Sequence, residues 1–172
     1  GLNRFDGYRF TIYRHDPLDP NSLSNNYIED LLEDRNGVLW IATQNGVNRF
    51  DQHTGDIVRY HHDPENPNSL GEDMIGAIYQ DREGIVWIGT WKHGLNKFDP
   101  VTETFTRYRH NPDNPQSLSG DEVRSIYQDR TGTRWRPYPA AQRLWNRVLH
   151  FLQPQQTQRR RQHQNPRRAG PG

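Results

Sequence analysis

Short apolar or alternating stretches, each ending at a turn signal, run along the first three quarters of the chain. The clearest set predicts four strands, at Ile75–Gln80, Ile85–Thr90, Leu95–Phe98 and Phe105–Tyr108. Gly and Asp residues between these stretches favour tight turns, so neighbouring strands are expected to pair as antiparallel hairpins. Apolar residues do not recur with the period of a helix, and prolines recur instead. This pattern excludes a helical repeat protein.

The strand pattern occurs in three copies, and the tryptophans that mark them are 47 and 48 residues apart. The recurring blocks are Gly1–Asp6, Gly46–Asp51 and Gly94–Asp99; Tyr13–Pro17, Tyr60–Pro64 and Tyr108–Pro112; Asn21–Leu23, Asn68–Leu70 and Gln116–Leu118; and Asp34–Trp40, Asp81–Trp87 and Asp129–Trp135. Four strands per copy is typical of a propeller blade. We therefore predict an all-β fold, a fragment of a β-propeller built from four-stranded antiparallel blades of about 47–48 residues.

The copies divide residues 1–135 into a half blade (1–14), two full blades (about 26–61 and 73–109) and a broken half blade. Two prolines in each connection between blades forbid a helix there and predict a long loop. The last copy has Arg134, Arg136 and Pro137 where the second copy has buried-strand residues, so we expect the propeller pattern to fail there.

Charge also separates the two parts. Residues 1–135 carry 14 Lys and Arg against 21 Asp and Glu, whereas residues 136–172 carry 8 Arg and no acidic residue. We expect this Arg-, Gln- and Pro-rich tail to be disordered or non-native.

The sequence shows no signal peptide and no apolar run long enough to span a membrane, and it lacks an initiator Met, so we expect a piece of a longer protein. Without cysteine, disulfides and thiolate sites are excluded.

The repeated residues are predicted to be structural. Large aromatic side chains at one place in every copy favour packing between blades, and acidic residues before glycines favour hydrogen bonds to turn amides. These residues are Trp40, Trp87 and Trp135; Asp34, Asp81 and Asp129; and Gly37, Gly84 and Gly132. Calcium binding at the turns is the alternative, but one carboxylate per turn supplies too few oxygen ligands.

Catalytic and metal-binding patterns are weak in this sequence. His15, His62 and His110 occupy the same place in each copy, so we expect them to order the connections. His61 and His62 are adjacent, and adjacent strand residues point to opposite faces, which makes a poor metal motif. We predict no catalytic residue, metal or cofactor in this chain.

The copies differ most between their second and third strands. The first blade has Gln44 and Asn45 there, and the second has Trp91, Lys92 and His93. This loop is expected at the same end of the blade as the long connections. A tryptophan beside hydrogen-bond donors suits the apolar face and hydroxyl rim of a sugar, so these five residues are our candidates for ligand binding. The alternative is that Trp91 packs against its own connecting loop.

The segments 81–90, 94–100 and 111–118 resemble the two-component regulator propeller repeat, and the resemblance covers residues 1–133. In that family the repeats form large propellers in the sensor regions of bacterial hybrid histidine kinases. The resemblance implies a periplasmic or extracellular location and detection of ligands, often glycan fragments.

The resemblance therefore predicts a ligand-sensing propeller segment of a hybrid sensor kinase, which signals through a phosphorelay and has no catalysis in this chain. The implied partners are a glycan or small molecule, the remaining blades and a kinase module, with membrane attachment only through a span outside this chain. Two alternatives remain: a propeller enzyme, such as a lyase or hydrolase acting on a glycan or small lactone, and a protein-interaction propeller. Nucleic acid binding is not expected, and the chain is expected to self-associate.

Overall fold

The computed structural model describes residues 1–129, 131–136 and 149–151, and every regular element within them is a β-strand. The strands are β1 (Leu2–Phe5), β2 (Phe10–Tyr13), β3 (Ile28–Glu33), β4 (Val38–Thr43), β5 (Gly46–Asp51), β6 (Ile57–Tyr60), β7 (Ile75–Gln80), β8 (Val86–Thr90), β9 (Leu95–Asp99), β10 (Thr104–Tyr108), β11 (Tyr127–Gln128), β12 (Arg134–Arg136) and β13 (Leu149–Phe151). No helix in this part of the chain has the length and apolar character of a membrane span. The predicted all-β class is confirmed.

The strands form four antiparallel sheets in chain order. β1 and β2 form a hairpin, which we call the amino-terminal half blade. β3–β6 form the first blade, β7–β10 the second blade, and β11–β13 the final sheet. In both blades each strand pairs with its neighbours in sequence, so each blade is a simple meander. The predicted strand Ile75–Gln80 is confirmed, and the other three predicted strands of that copy differ from β8, β9 and β10 by one residue at one end.

The hydrophobic core lies between neighbouring sheets. Trp40 of the first blade packs edge-on against Phe98 of the second blade, with ring centroids 4.9 Å apart. Tyr13 of the half blade packs against Phe50 of the first blade at 5.1 Å. Trp87 of the second blade packs against the segment that follows that blade. Each blade thus buries one face against the sheet before it and the other against what comes after it, as stacked propeller blades do.

The turns between the first and second strands hold the blade tryptophans in place. Asp34 Oδ1 accepts hydrogen bonds from two turn amides at 2.8 and 3.1 Å, and Asp81 Oδ1 accepts two at 3.0 and 2.9 Å, as the sequence predicts. Oδ2 accepts a further bond from the indole Nε1 six residues later, at 3.0 Å from Trp40 and 2.7 Å from Trp87. One carboxylate therefore orders the turn and also satisfies a buried donor.

The third copy keeps the same turn. Asp129 Oδ1 accepts hydrogen bonds from two turn amides at 2.8 and 3.0 Å. Gly132 has a φ of +90°, and Gly37 and Gly84 have φ values of +77° and +85° at the same place. Side chains disfavour this left-handed conformation, which explains the glycine in all three copies. The structure describes the backbone of Trp135 but not its side chain, so its packing role stays a prediction.

The final sheet differs from the sequence prediction. Arg134–Arg136 forms β12 where we expect the strand pattern to fail, and it pairs with β11 and with Leu149–Phe151 from the tail. Ladder hydrogen bonds are made by the backbone, so arginine side chains do not prevent the pairing. Residues 137–148 and 152–172 lie outside the described residues. The boundary at residue 135 and the disordered or non-native tail therefore stay predictions.

The connections 14–27 and 61–74 are each held by an arginine from the fourth strand of the blade that follows. Arg59 in β6 donates to the carbonyl oxygen and the hydroxyl of Ser22 at 2.7 and 2.6 Å. Arg107 in β10 donates to the same two atoms of Ser69, in the connection 61–74, at 2.8 and 2.7 Å. The guanidinium satisfies loop carbonyls that no strand partner reaches. The long proline-bearing loops are therefore fixed to the blades.

Glu103 joins the second blade to the first. Its Oε1 lies 3.2 Å from Nη1 of Arg49 and accepts a hydrogen bond from the Tyr60 hydroxyl at 3.3 Å. Glu103 has a φ of +53°, whereas Gly55, its counterpart in the first blade, has a φ of +85°. A non-glycine residue in this region costs roughly 1–3 kcal/mol, which contacts across the interface must offset.

Alkaline pH is expected to test this contact through Tyr60. Burial, and then the Glu103 carboxylate, raise the pKa of Tyr60 above its usual value of 10.0. Because the folded state favours the neutral phenol, this stabilisation is complete below about pH 10 and is lost as the pH rises through the raised pKa. Denaturant unfolding from about pH 8 to about pH 11 should show a steeper alkaline loss of stability in the wild type than in Tyr60→Phe. Parallel curves for the two proteins would contradict this expectation.

Candidate functional site

The loop Trp91–His93 lies against the connection 61–74. This end of the blades is opposite to the turns that join the first strand to the second and the third strand to the fourth. The backbone N–H of Trp91 donates to Met74 O at 3.2 Å, and that of Lys92 donates to Glu72 Oε2 at 2.7 Å. We call this side of the molecule the connection end; it comprises the connections 14–27, 61–74 and 109–126 and the loops 44–45 and 91–94. The sequence predicts this neighbourhood from the order of strands in a blade, and the structure shows it.

The histidines of the connections are structural. His15, His62 and His110 each lie within hydrogen-bond distance, through Nδ1, of the carbonyl oxygen of a leucine eight residues later, at 2.7, 2.7 and 2.6 Å. A carbonyl can only accept, so Nδ1 carries the proton in each case. The prediction that these residues order the loops is confirmed. His61 Nδ1 lies 3.7 Å from Asp73 Oδ1, and no group of three metal-ligating residues forms among the described residues.

Trp91 is half-buried, and one face of its ring is covered. The guanidinium carbon of Arg124 lies 4.0 Å from the ring centroid, which is the geometry of a cation–π contact. A Cβ placed on Gly76 would lie 3.5 Å from Trp91 Cδ1. The indole Nε1 is buried and has no hydrogen-bond partner among the described residues. Trp91 thus packs against two neighbouring segments and still presents an unsatisfied donor.

Lys92 and His93 complete the loop. Lys92 is exposed, and His93 is partly buried. His93 Nδ1 lies 3.5 Å from Glu72 Oε2 but makes no hydrogen bond in this geometry, and its ring centroid lies 6.5 Å from that of His62. The loop therefore offers one exposed cation and one unpaired imidazole nitrogen beside a carboxylate.

The counterpart loop in the first blade is polar and well satisfied. Gln44 Nε2 donates to Glu29 Oε1 at 2.7 Å, and Asn45 Nδ2 donates to Ser24 O at 3.4 Å. Gly46, directly after this loop, donates its N–H to Asp73 O at 2.6 Å. Both candidate loops therefore border the connection 61–74. Whether they contact a ligand stays a prediction.

The opposite end of the blades carries ordered acidic turns. Hydrogen bonds from backbone N–H groups lower the pKa of Asp6, Asp51 and Asp99 below the usual value of 3.8. In each turn the carboxylate accepts from the amides two and three residues later. These side chains stabilise their hairpins and are alike in all three copies. The residues that differ between copies, at 44–45 and 91–93, lie at the connection end instead.

Residues 22–45 and 69–92 each match the family model described as two component regulator propeller. The chain carries two-component regulator propeller repeats. Each matched segment begins at the serine that the arginine of the fourth strand binds, and each ends within a candidate ligand loop. The matched residues include both Asp–Trp pairs, so the family pattern coincides with the contacts that build and join the blades.

Solved structures of extracellular domains from B. thetaiotaomicron resemble these repeats. The domain of BT3049, assigned as a hybrid two component system, has a TM-score of 0.62 and 30% identity, over 73% of this chain and 18% of that chain. The domain of BT4673, assigned as a one component system, has a TM-score of 0.57 and 25% identity, over 73% and 17%. Another structure of the BT4673 domain, assigned as a hybrid two component system, has a TM-score of 0.53 and 20% identity, over 79% and 24%.

The chain thus spans about a fifth of the length of these domains. No curated protein matches the chain. The family model and the structural neighbours together confirm the predicted repeat family and the predicted propeller-blade fold.

Proposed function

We propose that the chain is a segment of the sensory propeller of a two-component system and lies outside the cytoplasmic membrane. The repeat family and the neighbouring extracellular domains support this role. In this proposal the signal passes to a kinase module of the same protein, through the remaining blades and a membrane span, and then into a phosphorelay. The chain itself binds and transmits without catalysis, as expected of a sensor domain.

We place the ligand contact at the connection end, on the loop Trp91–His93, with Gln44 and Asn45 beside it. The observation that carries this assignment is the departure from repetition: the first blade satisfies its loop through Gln44 and Glu29, whereas the second blade has a tryptophan with an unsatisfied indole donor. Buried polar groups normally have partners, so the unpaired indole donor favours an external acceptor, which reaches it once the side chains around the ring move aside.

A saccharide is the ligand class that fits these groups. Trp91 supplies an apolar ring with a donor at its edge, and Lys92 adds an exposed cation. Sugar rings combine an apolar face with a rim of hydroxyl groups, which are both donors and acceptors. A glycan or small polar molecule of this chemistry can therefore satisfy the loop where the described protein groups do not.

Replacing Trp91 is expected to weaken saccharide binding by about tenfold or more, because the ring face and the indole donor are lost together. The 172-residue chain is immobilised at low density, and an array of plant, microbial and host oligosaccharides is titrated over wild type, Trp91→Ala and Trp91→Gln. The glutamine variant carries the residue that the first blade has at this place, so it should fold normally.

The melting temperature provides the control for this experiment. If Trp91 contacts the saccharide, both variants lose affinity while the melting temperature changes little. A large fall in melting temperature with unchanged affinity would instead assign Trp91 to packing alone. An array without any binding oligosaccharide would overturn the saccharide assignment.

A further inference from the structure

Arg124 covers the ring of the candidate tryptophan. Its guanidinium carbon lies 4.0 Å from the Trp91 ring centroid, and this side chain comes from the segment after the second blade, not from the loop itself. A guanidinium over an indole face is attracted by the ring quadrupole, with the strength of a weak hydrogen bond at an exposed site. A saccharide and the guanidinium cannot occupy the same ring face at once.

The repeats show that this contact is specific to one place. The position of Arg124 in the third copy is that of Gly76 in the second copy and of Glu29 in the first. In the first blade Glu29 accepts a hydrogen bond from Gln44. In the second blade the glycine at that position leaves space, which Trp91 fills, and Arg124 of the next copy lies over the Trp91 ring. The residues that differ between copies at this position therefore produce one tryptophan ring that an arginine covers.

The backbone of Arg124 is anchored, and its side chain is more than half exposed to solvent. Val123, the residue before it, is buried and donates its N–H to Thr90 O at 2.8 Å. A Cβ at Gly76 would lie 2.7 Å from Val123 O, so the close approach of this segment to β7 requires glycine. The Nε of Arg124 pairs with Glu122 Oε1 at 2.5 Å while the guanidinium lies over the ring. The side chain is 57% exposed, so it has room in solvent to leave the ring.

We propose that Arg124 is a displaceable cover on Trp91, which must move aside before a saccharide stacks on that ring face. This proposal rests on the proposed function and adds its regulation. Displacement links ligand binding in the second blade to the segment 121–126 of the next copy, which packs against that blade through Val123 and Ile126. By linkage, a change in the next blade that draws Arg124 off the ring raises the affinity of the loop for saccharide. The factor is the same as that by which bound saccharide favours the change.

The first test measures access to the ring without any ligand. Acrylamide quenching of tryptophan fluorescence is recorded for wild type, Arg124→Ala and Arg124→Gln, each against a partner that also carries Trp91→Phe, so that the difference reports Trp91. We expect the quenching constant of Trp91 to rise in both Arg124 variants. Arg109→Ala, which removes another surface arginine of the same connection, should leave the constant unchanged.

The second test measures affinity with each array oligosaccharide that binds the wild type. Removal of the competing guanidinium should tighten binding by about two- to fivefold, the factor that corresponds to an exposed cation–π contact. Arg109→Ala removes another surface arginine of the same connection and should have no effect.

The two tests separate the cover from the saccharide assignment. If Trp91 quenching does not rise in either Arg124 variant, Arg124 is not a cover, whatever binds the loop. If quenching rises and affinity falls, Arg124 is a ligand contact and the proposal is wrong. If quenching rises and no oligosaccharide binds, the ring is covered as described, but both the saccharide assignment and the regulation of saccharide binding are overturned.

Discussion

Replacing Trp87 by alanine is expected to lower the free energy of unfolding by about 3–5 kcal/mol, the range for loss of a buried large aromatic side chain. Trp87 is 2% exposed and packs in one cluster with Leu118 and Val123 of the following segment. The substitution therefore leaves a cavity at the boundary of two repeats and also removes the indole that binds Asp81. Denaturant unfolding followed by circular dichroism gives the measurement.

Asp81→Ala is the matched comparison. From the sequence alone we expect a cost of roughly 1 kcal/mol, for one lost turn hydrogen bond. The structure raises this expectation to roughly 1–3 kcal/mol, because the buried Nε1 of Trp87 also loses its acceptor. The tryptophan should still cost more than the aspartate. The reverse order would mean that the turn, and not the packing of the ring, dominates the stability of the blade.

The 172-residue chain is expected to self-associate at micromolar concentration. The face of the half blade that points away from the first blade exposes Phe5, Phe10 and Ile12 by 58, 66 and 54%. The counterparts of Phe5 in the two blades, Phe50 and Phe98, are buried against the preceding sheet. An apolar face that the fold elsewhere buries is a favourable surface for association. Sedimentation velocity over a concentration series, with near-ultraviolet circular dichroism of the aromatic residues, tests this expectation.

A polar version of this face supplies the control. Phe5→Ser and Phe10→Ser remove two aromatic rings that pack on each other with centroids 4.7 Å apart. Ile12→Arg introduces arginine, the residue that both blades have at the equivalent positions 59 and 107. The triple variant should shift the sample towards monomer. A monodisperse wild-type monomer with sharp aromatic signals and cooperative melting would show that the exposed face does not drive association.

The strands and the repeat could be predicted from the sequence because short-range patterns determine them. Apolar alternation and Asp–Gly turns specify hairpins within about 15 residues of chain, so Ile75–Gln80 and its neighbours follow from local rules. The recurrence of His15, His62 and His110 at one place in each copy also predicts that they order the connections. Their bonds to leucine carbonyls confirm this role.

Side-chain contacts that depend on how the strands and connections fold were beyond these rules. The bond from Trp87 to Asp81 had a signal in the sequence, a repeated spacing of six residues, but the pairing depends on how the second strand folds back over the turn. The arginines at 59 and 107 also repeat, yet their partners lie 37 and 38 residues earlier. The cover on Trp91 had no signal, because Arg124 occurs once and reaches the ring from another copy.

Arg59 and Arg107 also define which segment of the gene can be duplicated without loss of contacts. Arg59 holds the connection that precedes its own blade, and Arg107 does the same for the connection 61–74. A break between Tyr60 and His61 therefore leaves the connections 14–27 and 61–74 each with its own arginine, whereas a break directly before β7 separates residues 61–74 from Arg107. Recombination at the first kind of boundary yields complete units, so blade number can change by whole repeats while each inserted copy brings the arginine that fixes its loop.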